Sequence, residues 1–302
     1  MQHQSDSLNL PLSNYDVDND MDDGKEQSKS NNQKRINKSD DSLVVVKIGG
    51  STFGSDDTTV SDLVKLQKEG FQPVVVHGGG KVVSDWLKRQ GIRPKFIRGL
   101  RVTDENTLDV VVGVLTGIVN KKLVAEIVLA GGRAVGISGV DGGILQAKAE
   151  NPELGFVGTI KNVDATAVKD ILAGGSMPIL APVAMSLEDS VSSIQLLNIN
   201  ADTAAGEIAA ALKADKLIML TDVPGVLDSS RRVISRLTEK QAKGLVEANI
   251  VAGGMVPKLE SCLKALATVN ETFIVDGRQP HILLECFKQN TENPFTNGTR
   301  VG

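Results

Sequence analysis

Apolar residues along this chain fall into short continuous runs that alternate with longer stretches of helical spacing. Residues 43–46, 73–76, 134–138, 177–180, 216–221 and 272–276 each read as a buried strand, short and mostly rich in β-branched residues. Between them, Val60, Leu63, Val64 and Leu66 recur at helical intervals over residues 58–69, as do Val83, Trp86 and Leu87 over residues 81–90. Further helices are predicted from a Thr103 or Asp104 cap to Gly131, and over residues 164–172, 203–212, 238–247 and 259–269. Residues 144–149 and 157–163 form a hairpin pattern, and residues 93–103 a hairpin or loop. Strands alternating with helices in this way predict an α/β fold, a three-layer α/β/α sandwich around a mostly parallel central sheet. A polar loop at residues 186–193 divides it into two lobes, 43–190 and 191–302.

Residues 1–42 break the pattern. Asp, Asn, Ser, Lys and Gln dominate there, and the few apolar residues are isolated, so the segment cannot bury enough surface to offset its ordering entropy. It is expected to be a disordered tail. The remainder has ample core, with 41% of the 302 residues hydrophobic. A net charge of −4 leaves no basic footprint for nucleic acid. Two cysteines and three histidines, without ligand-like spacing, indicate neither a disulfide framework nor a protein-bound metal. No apolar run approaches the roughly 20 residues of a membrane span, and no signal-peptide core follows the first methionine. A soluble cytoplasmic protein is expected.

The candidate chemistry sits where strands end. Lys47 interrupts a buried strand just before Gly49 and Gly50, and a lysine there is costly unless something anionic meets it. The next strand runs into His77-Gly78-Gly79-Gly80 and then a helix, an arrangement suited to anions. Neither the P-loop nor the GxGxxG pattern is present. Parallel βαβ topology places both glycine loops on one sheet edge. Arg101, framed by Leu100 and Val102, has the planar fork that suits a carboxylate. Asn198, Asn200 and Asp202 share one side of an extended segment. Taken singly, each has an ordinary structural reading: a snorkelling lysine, a protein ion pair for Arg101, a helix N-cap for Asp202.

Taken together and in order, these motifs resemble the amino-acid kinase family, and within it the branch that phosphorylates N-acetyl-L-glutamate. The resemblance continues through residues 222–227 and 253–258 and closes at Gly298-Thr299-Arg300, covering nearly everything after residue 42. It implies phosphoryl transfer from ATP, with Mg2+, to the side-chain carboxylate of N-acetyl-L-glutamate, the second step of arginine biosynthesis. It further implies that Lys47 and Lys258 neutralise charge on the transferring phosphoryl group and that Asp202 orients the two lysines. Gly79, Gly80 and Arg101 of the 43–190 lobe, with Asn198, would hold the amino-acid substrate. Gly49, Gly50, Asp222, Val223, Pro224, Gly225, Val226, Leu227, Gly253, Gly254 and Met255 would flank the nucleotide, mostly in the 191–302 lobe. A glutamate side chain has a pKa of about 4.3, so the nucleophile is already ionised and needs no general base. What it needs is relief from charge repulsion and in-line positioning. Asp202 is expected to keep both lysines charged.

The arginine-inhibited branch of that family carries an amphipathic helix ahead of its first strand. Here residues 31–41 offer only Ile36, which cannot form an apolar stripe, and the lysine loop continues Ser51-Thr52-Phe53 as in the arginine-insensitive branch. A homodimer rather than a hexamer is therefore expected, with the uncharged run at residues 110–119 as its face. Residues 288–296 depart from the family pattern. The alternatives are the same chemistry on N-acetyl-α-aminoadipate, one methylene longer, and a non-catalytic sensor of acetylated amino acids. Retention of Lys47, Lys258 and Asp202 weighs against the sensor.

Overall fold

The computed structural model describes residues 42–49, 57–187, 195–288 and 295–302. The predicted tail up to residue 41, the lysine-loop residues Gly50 to Phe53, the polar loop 188–193 and residues 289–294 of the altered segment lie outside them.

β1 (Leu43–Ile48), α1 (Thr59–Lys68) and β2 (Gln72–His77) form a strand–helix–strand unit with its two strands parallel. α2 (Gly80–Arg89) follows, and then a small hairpin of β3 (Phe96–Ile97) and β4 (Leu100–Arg101). The helix predicted up to Gly131 is α3 (Glu105–Val112) and α4 (Asn120–Leu129), joined without a break by a π-helical segment, Gly113–Val119. Asp104 is its N-cap, accepting from the Thr107 N–H at 2.8 Å. β5 (Ala134–Ser138), β6 (Leu145–Lys148), β7 (Thr159–Val163) and α5 (Thr166–Ala173) come next. They lead to β8 (Met177–Ala181), β9 (Val183–Ser186) and β10 (Leu196–Asn198). The chain continues through α6 (Ala201–Leu212), β11 (Lys216–Thr221), β12 (Arg236–Leu237), α7 (Glu239–Glu247) and α8 (Met255–Ala265). It closes with β13 (Glu271–Asp276), α9 (Ile282–Glu285) and β14 (Gly298–Val301).

Eight strands make the main sheet, in the order β12-β14-β13-β11-β1-β2-β8-β5. Every pairing in it is parallel except β13 with β14. A second sheet, β10-β9-β6-β7, contains the predicted hairpin, the start of the extended segment that carries Asn198, and β9, a strand that the apolar pattern does not announce.

Period-two alternation sorts the main strands onto two faces. Val44, Val46 and Ile48 pack with Leu63 and Leu66 of α1, Leu123 and Ile127 of α4, and α9. Val45 joins the opposite cluster with Ala205 and Ile208 of α6 and Leu259 and Cys262 of α8. The same alternation turns Lys47 toward α6. From β1 the chain adds β2, β5 and β8 on one side, and later β11 and β13 on the other. The order reverses beside β1, and the crevice outside the carboxyl ends of the strands at such a point is where α/β sheets bind ligands.

Candidate active site

At that reversal, Lys47 lies in register with Val76 of β2 and Met219 of β11, one residue from the end of its strand. Asp202 stands opposite it in the first turn of α6. Its own helix does not use it as a cap, because Asn200 does that, accepting from the N–H groups of Asp202 and Thr203 at 2.9 and 3.0 Å. Of the three residues expected on one side of an extended segment, Asn198 ends β10, Asn200 caps α6 and Asp202 lies within it. The carboxylate is thereby left for cations: Lys47 Nζ lies 2.9 Å from Oδ1 and Lys258 Nζ 2.9 Å from Oδ2.

Lys258 is brought there by close helix packing. α8 begins at Met255, four residues earlier than its apolar spacing predicts, with Pro257 tolerated in the first turn, where no N–H is needed. One turn beyond Asp202, Gly206 faces Ser261 so closely that a Cβ on it would stand 2.8 Å from the Ser261 carbonyl oxygen. That bare contact lets α6 and α8 approach until Lys258 reaches Asp202.

All three charged groups are largely withdrawn from water, with side-chain exposures of 7% for Lys47 and Asp202 and 15% for Lys258. Burial alone would raise the Asp202 pKa, but the two ammonium groups outweigh it and hold the carboxyl below its ordinary value. For Lys47 the balance goes the other way. Burial lowers its pKa, and the Asp202 charge, opposed by that of Lys258, offsets the shift only in part.

Lys47 and Asp202 wall one side of a cavity of about 220 Å3. Gly79, Gly80, Arg101 and Asn198 also line it, so six of the site residues predicted from sequence meet in one space. At Gly79 it is packing, not the dihedral angles, that a side chain would disturb. A Cβ there would lie 2.5 Å from Leu115 Cδ2 and 3.3 Å from Val119 Cγ2, both on the π-helical segment. Arg101 is buried. Its Nη2 donates to the Gly80 carbonyl at 2.8 Å and to Ser84 Oγ at 3.0 Å, and its guanidinium lies 4.8 Å from the centre of the Phe96 ring. Nη1 is also buried and has no protein partner among the described residues. Arg101 also lines the cavity, and the planar fork of a guanidinium there is suited to a ligand carboxylate. Asn198 Nδ2 donates to Thr103 Oγ1 at 3.1 Å, and that hydroxyl donates to the Arg101 carbonyl at 2.9 Å. Ser84 and Thr103, missed from sequence, therefore steady both proposed substrate ligands.

The other predicted residues among those described stand off this cavity. Gly49 continues β1, its N–H donating to the Leu220 carbonyl at 3.2 Å, and Gly50 is outside the described residues. Residues 222–227 turn off the end of β11. Asp222 is exposed, yet close enough for its charge to act on Lys47. Gly225 takes φ +144° against Thr299, whose hydroxyl accepts from the Val226 N–H at 2.8 Å, and Val226 itself is in the core. Gly253 and Gly254 are exposed ahead of α8 and Met255 opens it. Lys258 touches the cavity residues through Asp202.

With this geometry in place, residues 42–276 match the model of the amino acid kinase family. The chain belongs to that family. An acetylglutamate kinase of Paracoccus denitrificans is 44% identical over 262 residues, 85% of each chain. One from Acaryochloris marina is 46% identical over 253 residues, 81% of this chain and 87% of its own. Among solved structures, N-acetylglutamate synthase from Neisseria gonorrhoeae, complexed with coenzyme A and N-acetyl-glutamate, superposes with a TM-score of 0.73. It is 25% identical, and the match covers 86% of this chain and 59% of that one. Giardia carbamate kinase shares the family fold at a TM-score of 0.64 and 16% identity, over 87% of this chain and 99% of its own.

Proposed function

We propose that this amino acid kinase transfers the γ-phosphoryl group of ATP to the side-chain carboxylate of N-acetyl-L-glutamate. One observation carries the mechanism: two buried lysines share a carboxylate beside a cavity that the Arg101 guanidinium also lines. Arg101 takes the α-carboxylate of the acetylated amino acid, and Asn198 and the glycine loop fix its orientation. The nucleophilic carboxylate then lies toward Lys47, already ionised. Lys47 and Lys258 balance the charge spread over the phosphoryl oxygens in the transition state, and Asp202 holds both ammonium groups in place beforehand, so little reorganisation is needed during transfer. Both Asp202 oxygens face lysines, so Mg2+ enters with the phosphates of ATP and belongs to the substrate. The nucleotide lies over the carboxyl end of β11 and the start of α8, and residues 43–190 supply most of the amino-acid site, to which residues 198–202 of the 191–302 lobe also contribute. None of the described helices is long and apolar enough to cross a membrane, and a cytoplasmic location follows from the reading.

A coupled ADP-release assay with N-acetylglutamate, N-acetylaminoadipate, aspartate and carbamate tests the assignment. N-Acetylglutamate is expected to give the highest kcat/KM, with the longer homologue lower by about 10- to 200-fold, the range that one methylene supports. A preference for any of the others would refute it. In the same assay Arg101→Ala is expected to raise KM for the acetylated amino acid at least about tenfold, as truncating one partner of a buried charge pair does. KM for ATP should barely move. An equal loss of affinity for ATP would place Arg101 at the nucleotide or in a structural role.

The homodimer implied by the family resemblance would use the groove between α2 and the long helix, lined by Trp86, Ile92, Val110, Val114 and Ile118, of which Ile118 is 40% exposed. Light scattering should then report twice the chain mass of 32.0 kDa. A monomer would remove that placement.

A further inference from the structure

His77 is fully buried at the end of β2 and takes no part in the mechanism above. Its Nδ1 lies 2.8 Å from the carbonyl oxygen of Gly78, and its Nε2 lies 3.2 Å from Asn120 Nδ2. A carbonyl only accepts, so Nδ1 carries the proton and Nε2 is left to accept from the Asn120 amide. The same amide nitrogen reaches the Ile179 carbonyl at 2.8 Å and the Ile137 carbonyl at 3.2 Å, while Asn120 Oδ1 accepts from Lys121 Nζ at 3.1 Å. Asn120 opens α4 directly after the π-helical segment whose Leu115 and Val119 press on Gly79. Burial lowers the His77 pKa to about 4, in keeping with a neutral ring.

The peptide joining Gly78 to Gly79 is planar and trans, so its C=O and N–H point in opposite directions. With the carbonyl held by the His77 ring, the Gly79 N–H is turned the other way. Such a peptide has glycine on both sides and no Cβ to resist rotation, so left to itself it is among the freest in a chain to flip. We propose that His77, set by Asn120, is a positioning residue that locks the Gly78–Gly79 peptide so that the Gly79 N–H faces the cavity beside Lys47. The lock rests on the functional reading above, because it matters only if that N–H meets the reacting phosphoryl or carboxylate oxygens.

Two substitutions separate this role from simple core packing. Asparagine carries its amide nitrogen on the atom equivalent to the one bearing Nδ1, whereas glutamine extends to the position of Nε2. His77→Asn should therefore still donate to the Gly78 carbonyl and keep kcat within about threefold of wild type. His77→Gln should meet Asn120 but lose that donor, with kcat falling at least about tenfold and KM for ATP nearly unchanged, short of the 100- to 1,000-fold seen when a transition-state donor is removed outright. Equal kcat values for the two variants, or the reverse order, would overturn the assignment. Nitrogen-15 NMR of the wild-type imidazole supplies an arm that needs no variant to fold: a proton on Nδ1 is expected, and an unprotonated Nδ1 rules the lock out. Wild-type inactivity on N-acetylglutamate would instead refute the functional reading, leaving the ring's protonation state to be judged by the spectrum.

Discussion

Replacing Lys47 or Lys258 by alanine is expected to lower kcat by about 100- to 1,000-fold, with far smaller changes in KM for either substrate. That is the range for losing one preorganised group aimed at developing charge. The two ammonium groups sit on the two oxygens of one buried carboxylate, so their positions are set before any substrate arrives. Interactions that strengthen only as charge spreads onto the transferring phosphoryl group show in kcat, whereas uniform binding shows in KM. The two variants should also differ from one another. Lys47 lines the cavity and is the more buried, so its loss exposes Asp202 to an emptied site. Lys258 stands outside the cavity wall, and its loss leaves the Lys47–Asp202 pair intact. Steady-state kinetics on both variants, with melting curves to confirm folding, check this. A kcat near that of wild type in either would remove that lysine from the reaction.

Much of this arrangement was legible in the chain because it breaks local rules. A lysine within the apolar run of β1, and glycines where two parallel strands end, stand out against a pattern otherwise consistent with buried strands. The strand–helix alternation likewise dictated the layers, since each strand must bury both faces. What could not be read is what depends on approach in space. Asp202 and Lys258 are 56 positions apart, and it is the family resemblance, not anything in their spacing, that pairs them. What lets them meet is a small residue, Gly206, one turn along α6, whose meaning appears only against Ser261 of α8. The choice of Asn200 over Asp202 as N-cap was equally hidden, because both residue types cap helices well. The π-helical segment lies in an uncharged run containing Gly113 and Gly117, a composition as compatible with an ordinary helix. Strand β14, Gly298–Val301, has one strongly apolar residue and owes its place to antiparallel pairing with β13, a contact no local period records.

Asp202→Asn should be the most damaging single substitution in the molecule, destabilising the fold by about 3–5 kcal/mol as well as abolishing most activity. Breaking a buried ion pair from one side leaves its partner's charge uncompensated, and here two partners are left. Asparagine keeps the size of the side chain, so the effect isolates the charge. The pH dependence has a definite sign. In the wild type the Asp202 pKa lies below its ordinary value, so its contribution is complete above that value and is lost as pH falls through the folded-state pKa. In the variant the burden shifts to the lysines. Lys47, whose pKa is already lowered by burial, loses the Asp202 charge that partly restores it, while the Lys258 charge continues to lower it. Its ammonium form is then disfavoured in the folded state, and folding improves as pH rises and the group sheds its proton. The melting-temperature gap between wild type and Asp202→Asn should accordingly be widest near neutral pH and narrow on the alkaline side. The alkaline limb of any residual activity should move to lower pH at the same time. A gap that stays constant from pH 7 to about pH 10, the range in which lysines titrate, would mean that Asp202 acts by shape rather than by charge.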